Sequence, residues 1–145
     1  MRCRLLRRLR RQLGRRGAFL LCFGTVWGLI GYGQVTAPQP DQRGLKLITD
    51  LLPLSVWGWL WITAGLIAVV SAWAPQGWDW PGFLALPLMV LPWCLAYLLA
   101  WWPLGVFPRG WIAAALYGAL AGGIFVVAGW REPPRPKRAE PPYES

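Results

Sequence analysis

Eight arginines and no acid occupy the first sixteen residues (Arg2, Arg4, Arg7, Arg8, Arg10, Arg11, Arg15 and Arg16), and an apolar run begins at Gly17. That junction constrains the rest of the chain. An arginine at the centre of a bilayer costs roughly 2.5–3.5 kcal/mol on insertion scales. The arm therefore stays on one side and orients the run that follows it. The alternative fate for such a run is burial in a soluble core, and the charge distribution argues against it. Fifteen Lys/Arg and six Asp/Glu sit almost wholly at the two ends and in one loop, so that only 14% of the chain is charged. Soluble domains average about 25%. An integral membrane domain is the reading this pattern supports.

Four spans follow, at about residues 18–37, 54–73, 81–102 and 110–129. Twenty helical residues reach about 30 Å, the thickness of a hydrocarbon core. The expected fold class is all-α integral membrane: four transmembrane helices in an antiparallel bundle, within a domain covering 17–130. The first span has the outline of a signal peptide, with small residues at Val35-Thr36-Ala37, but Pro38 would hinder cleavage and three more spans follow. A retained span is the better reading. The arm, residues 1–16, reads either as a basic amphipathic helix, with Leu5, Leu6, Leu9 and Leu13 on one face, or as an unstructured charged segment.

The connections are short. Residues 38–52 begin Pro-Gln-Pro-Asp, and Leu45, Ile48, Leu51 and Leu52 suggest a brief interfacial helical turn. Asp50 is placed to cap the next helix, with Pro53 in its first turn. Residues 74–80 make a tight turn whose only charge is Asp79, so the second and third spans form a hairpin. Pro87 and Pro92 predict kinks in the third span. The Pro-rich, charged tail, 131–145, is expected to be disordered. Its Pro133, Pro136 and Arg138 fit the spacing of SH3 ligands, a pattern that basic proline-rich tails meet by chance.

Orientation follows from counting. With an even number of spans and the arm inside, both termini are cytoplasmic. Twelve Lys/Arg then lie inside, against Arg43, Lys46 and Arg109 outside. The net charge of +9 is thus the positive-inside signal rather than a nucleic-acid footprint. The expected partner is a bilayer with anionic headgroups, met by Arg7, Arg8, Arg10, Arg11, Arg15 and Arg16 at roughly 1 kcal/mol per charge. Localisation in a bacterial inner (cell) membrane follows from the same reading.

Candidate chemistry is sparse. The spans contain no Asp, Glu, Lys, Arg or His, and the chain has no histidine at all. Acid–base work and metal binding lack their usual groups. Cys3, Cys22 and Cys94 have neither disulfide-framework nor zinc spacing, and the two in apolar runs read as small buried hydrophobes. No catalytic, cofactor or metal residue is expected, and the protein reads as non-enzymatic. The hydroxyls in the spans are expected to bond to their own helices.

Two kinds of contact residue remain. Gly24, Gly28 and Gly31 in the first span, and Ala114, Gly118 and Gly122 in the fourth, form small-residue faces for helix packing, within one bundle or between copies of the chain. Most of the twelve tryptophans lie where spans end, so Trp57, Trp73, Trp101, Trp102 and Trp130 read as interface anchors. Trp93, in mid-span beside Pro92, is placed to face a neighbouring helix.

In its Arg, Trp, Ala, Gly and Pro usage, with almost no Lys or Asn, the chain resembles the small multi-span membrane proteins of high-GC actinobacteria and their phages. The resemblance is compositional, covers the whole chain and transfers no functional residues. It admits holins, which oligomerise and open the inner membrane during phage release. Three functions are therefore carried forward. The first is a non-enzymatic multi-pass protein working through helix and protein contacts, as a homo-oligomer or with another membrane protein. The others are a holin-like pore former and a small transporter or channel subunit.

Overall fold

A computed structural model describes the backbone of residues 2–37, 44–75 and 77–130, and side chains from Gly14 onward within those segments. The tail, with its SH3-like spacing, lies outside the described residues, as do the side chains of the arm. Among the described residues there is no strand. The elements are α1 (Arg2–Thr36), α2 (Lys46–Leu51), α3 (Leu54–Ser71), α4 (Trp80–Trp101) and α5 (Gly110–Ala128).

The arm is helical, and α1 is two helices joined at a kink. Gly14 sits at the joint with φ 66° and ψ −177°, a backbone conformation open to glycine because it has no Cβ. The kink turns the basic segment off the axis of the apolar one. The apolar part, Gly14–Thr36, begins four residues earlier than the composition suggested. With α3, α4 and α5 it makes four helices long and apolar enough to cross a membrane. These helices support a multi-pass membrane protein.

Their outer surfaces carry the same message. Leu29, Leu66, Val70, Leu84, Leu88, Leu95, Leu116, Phe125 and Val126 are all exposed. An apolar patch of that extent would drive association in water, whereas lipid is a matching solvent. Exposed tryptophans ring both ends: Trp73, Trp78, Trp80 and Trp130 at the end where α4 begins, and Trp101 and Trp102 where it finishes.

One local expectation is corrected. Asp50 does not cap α3, because it lies within α2. The N-cap is Pro53 (φ −55°, ψ 146°), with no side-chain cap. Its carbonyl accepts from the amides of Val56 and Trp57 at 3.0 and 3.3 Å. Proline suits that place because its fixed φ is compatible with entry to a helix and its missing N–H is no loss there. Pro87 and Pro92 both lie inside α4, which runs unbroken through them for 22 residues.

The tightest packing is between α1 and α3. A Cβ added at Gly24 would lie 2.7 Å from the carbonyl oxygen of Gly65, and one at Gly65 would lie 2.5 Å from that of Gly24. Gly31 and Gly58 oppose each other in the same reciprocal way. As residue numbers rise on one helix they fall on the other, so the two run in opposite directions. Each helix offers glycines seven apart, two turns on one face.

α4 is the central element and contacts α1, α2, α3 and α5. Its buried face runs through Phe83, Leu86, Val90, Trp93, Ala96 and Ala100. α5 packs along α4 and forms no extended contact with α1. The buried residues of α5 are Gly110, Ala114, Ala121 and Ile124. This stripe differs from the expected Ala114, Gly118, Gly122 face. Ala114 is buried and Gly118 lies near Cys94, but nothing comes within 4 Å of a Cβ built on Gly122. The reason is helical phase: a four-residue step overshoots one turn by about 40°. Two such steps carry Gly122 off the contact, while alternating steps of four and three stay on it.

Gly24→Val and Gly65→Val are each expected to destabilise the protein by about 1–3 kcal/mol, as overpacking does, in steric-trap unfolding in bicelles. Gly122→Val, on an open face, should stay within about 0.5 kcal/mol of wild type. Equal losses at all three positions would contradict the packing described.

Candidate functional site

The one charged pair described between helices closes the end where the arm enters. Arg16 lies near the start of the apolar part of α1, and Asp79 occupies the N-cap position of α4. Arg16 Nε donates to Asp79 Oδ2 at 2.8 Å, and Nη2 to Oδ1 at 3.2 Å. Nη1 donates to the carbonyls of Ala128 and Trp130 at 2.6 and 2.7 Å. The guanidinium also stands 4.6 Å from the centroid of the Phe83 ring.

Each contact has a local cause. The last carbonyls of α5 have no partner within the helix and carry the negative end of its dipole, so they attract a cation. The carboxylate of Asp79 sits at the positive end of α4. The planar guanidinium fork meets the carboxylate with two donors and stacks on an aromatic face, which lysine could not do. One side chain thus ties α1, α4 and α5 together. Asp79 is only 5% exposed, so without Arg16 it would be a shielded charge lacking this partner.

This corrects one expectation. Sequence position groups Arg16 with the arginines that meet headgroups, but its guanidinium is committed to Asp79 and to the end of α5. The carbonyls of Ala128 and Trp130 at the end of α5, together with a buried carboxylate, offer more than a solvated phosphate does. Arg15 is exposed and has contacts of its own. The side chains of Arg7, Arg8, Arg10 and Arg11 fall outside the described residues.

From Phe83 an aromatic column runs through the interior. Phe83 stacks with Phe19 at 6.2 Å between centroids, and Phe19 with Phe23 at 4.3 Å. Phe23 meets Trp27 edge-on at 5.5 Å, and Trp27 meets Trp61 at 5.2 Å. Trp93 then stands edge-on to both Trp61 and Trp57, at 5.4 and 5.1 Å. Helices α1, α3 and α4 all contribute. The indole N–H of Trp27 donates to the Leu86 carbonyl and that of Trp57 to the Ile48 carbonyl, whereas the buried Trp61 N–H has no partner.

The tryptophans therefore divide by position. Trp73, Trp101, Trp102 and Trp130 are exposed at helix ends. Trp57 is half-buried and turned into the column, so it packs the interior rather than standing at the surface. Trp93 is 2% exposed and faces α3.

The small polar groups behave locally. The hydroxyls of Thr25, Thr36 and Thr63 each donate to the carbonyl four residues back. Cys94 donates to the carbonyl of Ala114 at 3.2 Å, linking α4 to α5. Cys22 faces outward rather than into a core. Among the described residues no group of three or more His, Cys, Asp or Glu could hold a metal ion.

Because α5 does not lie along α1, a cleft of about 500 Å³ opens at the other end of the molecule. Its lining includes Ile30 and Gln34 of α1, Leu54 of α3, Trp93 and Tyr97 of α4, and Tyr117 of α5. The rings of Tyr97 and Tyr117 stack at 5.8 Å and 10°. The side-chain oxygen of Gln34 is shielded from solvent and has no hydrogen-bond partner.

No family model, curated protein or solved structure matches this chain.

Composition and spacing overlooked three features. Gly58 and Gly65 escaped notice because their seven-residue spacing is not the GxxxG pattern. A heptad scan of the small residues in the second span would have found them. Asp79 was visible as the only charge in a tight turn, but nothing in the sequence pairs it with Arg16. The cleft depends on which helices fail to touch, and no local signal records that.

Asp79→Asn and Arg16→Gln should each lower stability by about 3 kcal/mol, the low end of the cost of breaking a buried pair. The double variant should cost less than the two losses together. Steric-trap unfolding of the three variants completes the cycle, and strict additivity would mean the two side chains are not coupled.

Proposed function

We propose that this chain is a non-enzymatic, multi-pass protein of a bacterial inner membrane that works through helix and protein contacts. Its spans form an antiparallel bundle with both termini in the cytoplasm. The arginine clasp carries this reading. It gathers the start of the apolar part of α1, the turn before α4 and the end of α5. That is also the end from which the basic arm and the basic tail depart, so the positive-inside rule applies to one face of the molecule. The 74–80 turn has no positive charge of its own. Arg16 brings one to Asp79.

Contact work fits the architecture. α5 packs along its length chiefly on α4, so much of its surface faces lipid or a partner. The arm, set at an angle by the kink at Gly14, supplies arginines to an anionic leaflet at roughly 1 kcal/mol each. A pore-forming role of the holin or channel kind asks for a path between copies, because the aromatic column occupies the interior of one chain.

Two measurements test the proposal. In a variant without the native cysteines, Thr49→Cys should react with an impermeant maleimide from outside the cell, and Trp78→Cys only after permeabilisation. Labelling in the reverse pattern would overturn the topology. Induced expression should give steady accumulation with membrane potential intact. Abrupt, delayed entry of an impermeant dye would favour the holin reading instead.

A further inference from the structure

We infer that the cleft between α1 and α5 is a binding site for a membrane amphiphile with an uncharged, hydroxyl-bearing ring as its head. Its walls and floor include Gln34, Trp93, Tyr97 and Tyr117. The inference rests on the membrane reading above, which the cysteine labelling tests separately.

Four observations lead to it. First, the site has unused hydrogen-bonding capacity. The Gln34 side-chain oxygen is buried and unpartnered, and leaving such a group unmade costs on the order of 1–3 kcal/mol. The hydroxyls of Tyr97 and Tyr117 have no hydrogen-bond partner among the described residues. A ligand hydroxyl serves both phenols, exchanging donor and acceptor roles with each, and a turn of the Gln34 side chain toward the cleft would bring its shielded oxygen to the same hydroxyl.

Second, the lining residues carry no charge. A charged head would lose its hydration there without an ionic partner, so a neutral one is preferred. Third, the walls are aromatic, with Trp93 beside the Tyr97 and Tyr117 stack. Flat faces of this kind accept the face of a ring. A volume of about 500 Å³ lies within the ordinary range for small-molecule sites.

Fourth, the cleft is at the right depth and opens the right way. Gln34 is two residues from the end of α1, and Leu54 begins α3, which puts the mouth of the site near the headgroup level of one leaflet, with Tyr117 and Trp93 about two turns deeper. α1 and α5 do not pack along each other, so a tail can remain in the bilayer while the head enters sideways. A lipid-soluble quinol and a glycosylated lipid share this head chemistry.

The test uses the full chain in lipid nanodiscs with two probes, a decyl-tailed benzoquinol and a monoglucosyl diacylglycerol. Binding is read by native mass spectrometry and by the shift in Tm. One probe should bind saturably, one molecule per chain, and raise Tm; which one does so identifies the source. Gln34→Leu and Tyr117→Phe should each weaken that binding about tenfold, the equivalent of one well-placed hydrogen bond. Gln34→Leu should leave the Tm of the unliganded protein unchanged or higher, because it removes an unsatisfied polar atom. Ala115→Leu, in the separate apolar hollow beside Cys94, should bind as wild type does.

Three results would overturn the inference: no saturable binding of either probe, binding undiminished in both cleft variants, or a lower unliganded Tm for Gln34→Leu, which would assign that amide a structural role.

Discussion

In a bilayer, lipid tails are as apolar as leucine, so burying one helix against another removes no surface from water. Cohesion must come from close contact, from hydrogen bonds and from shape. The glycine seam between α1 and α3 meets that condition most directly. Gly24 faces Gly65, and Gly31 faces Gly58, with backbone against backbone. Dispersion falls steeply with distance, so each fraction of an ångström that side chains would have occupied is returned as contact along two turns. The rest of the molecule is arranged on that pair.

The second source of contact is aromatic. Phe19, Phe23 and Trp27 descend one face of α1 and meet Trp61, Trp93 and Trp57 from α3 and α4. Edge-to-face geometry adds roughly 0.5–1.5 kcal/mol per pair beyond simple contact. Glycine seam and aromatic column are complementary. Where the helices come closest, side chains vanish; where they diverge around α4, the largest side chains fill the space. The indole N–H groups of Trp27 and Trp57 find carbonyls, and the unpartnered one of Trp61 is the cost of placing tryptophan so deep.

Polar cohesion is concentrated at one end. Arg16 holds Asp79, the last carbonyls of α5 and the face of Phe83 at once, so α5 is secured by a helix it otherwise does not touch along its length. The opposite end lacks such a clasp among the described residues. There α1 and α5 part, and the cleft with its unsatisfied amide appears. The closed end and the open end are two consequences of the same layout.

Much of this was legible in the residues themselves. Four long uncharged runs read as helices long and apolar enough to cross a membrane, where every backbone group must bond within its own segment. Turns such as 74–80 and 103–109 are too short to leave neighbouring spans any freedom of direction. Gly24 and Gly31 were identifiable as a contact face because small residues on one helical face have few other uses. The sequence alone could not say which helix that face meets, since Gly58 and Gly65 become partners only when α1 and α3 are brought together. Nor could it tell that Arg16 pairs with Asp79, or that Trp57 turns inward while Trp73 turns out. Those outcomes depend on pairing between segments far apart in the chain. Composition determined what each helix is made to dissolve in; tertiary packing decided what each one touches.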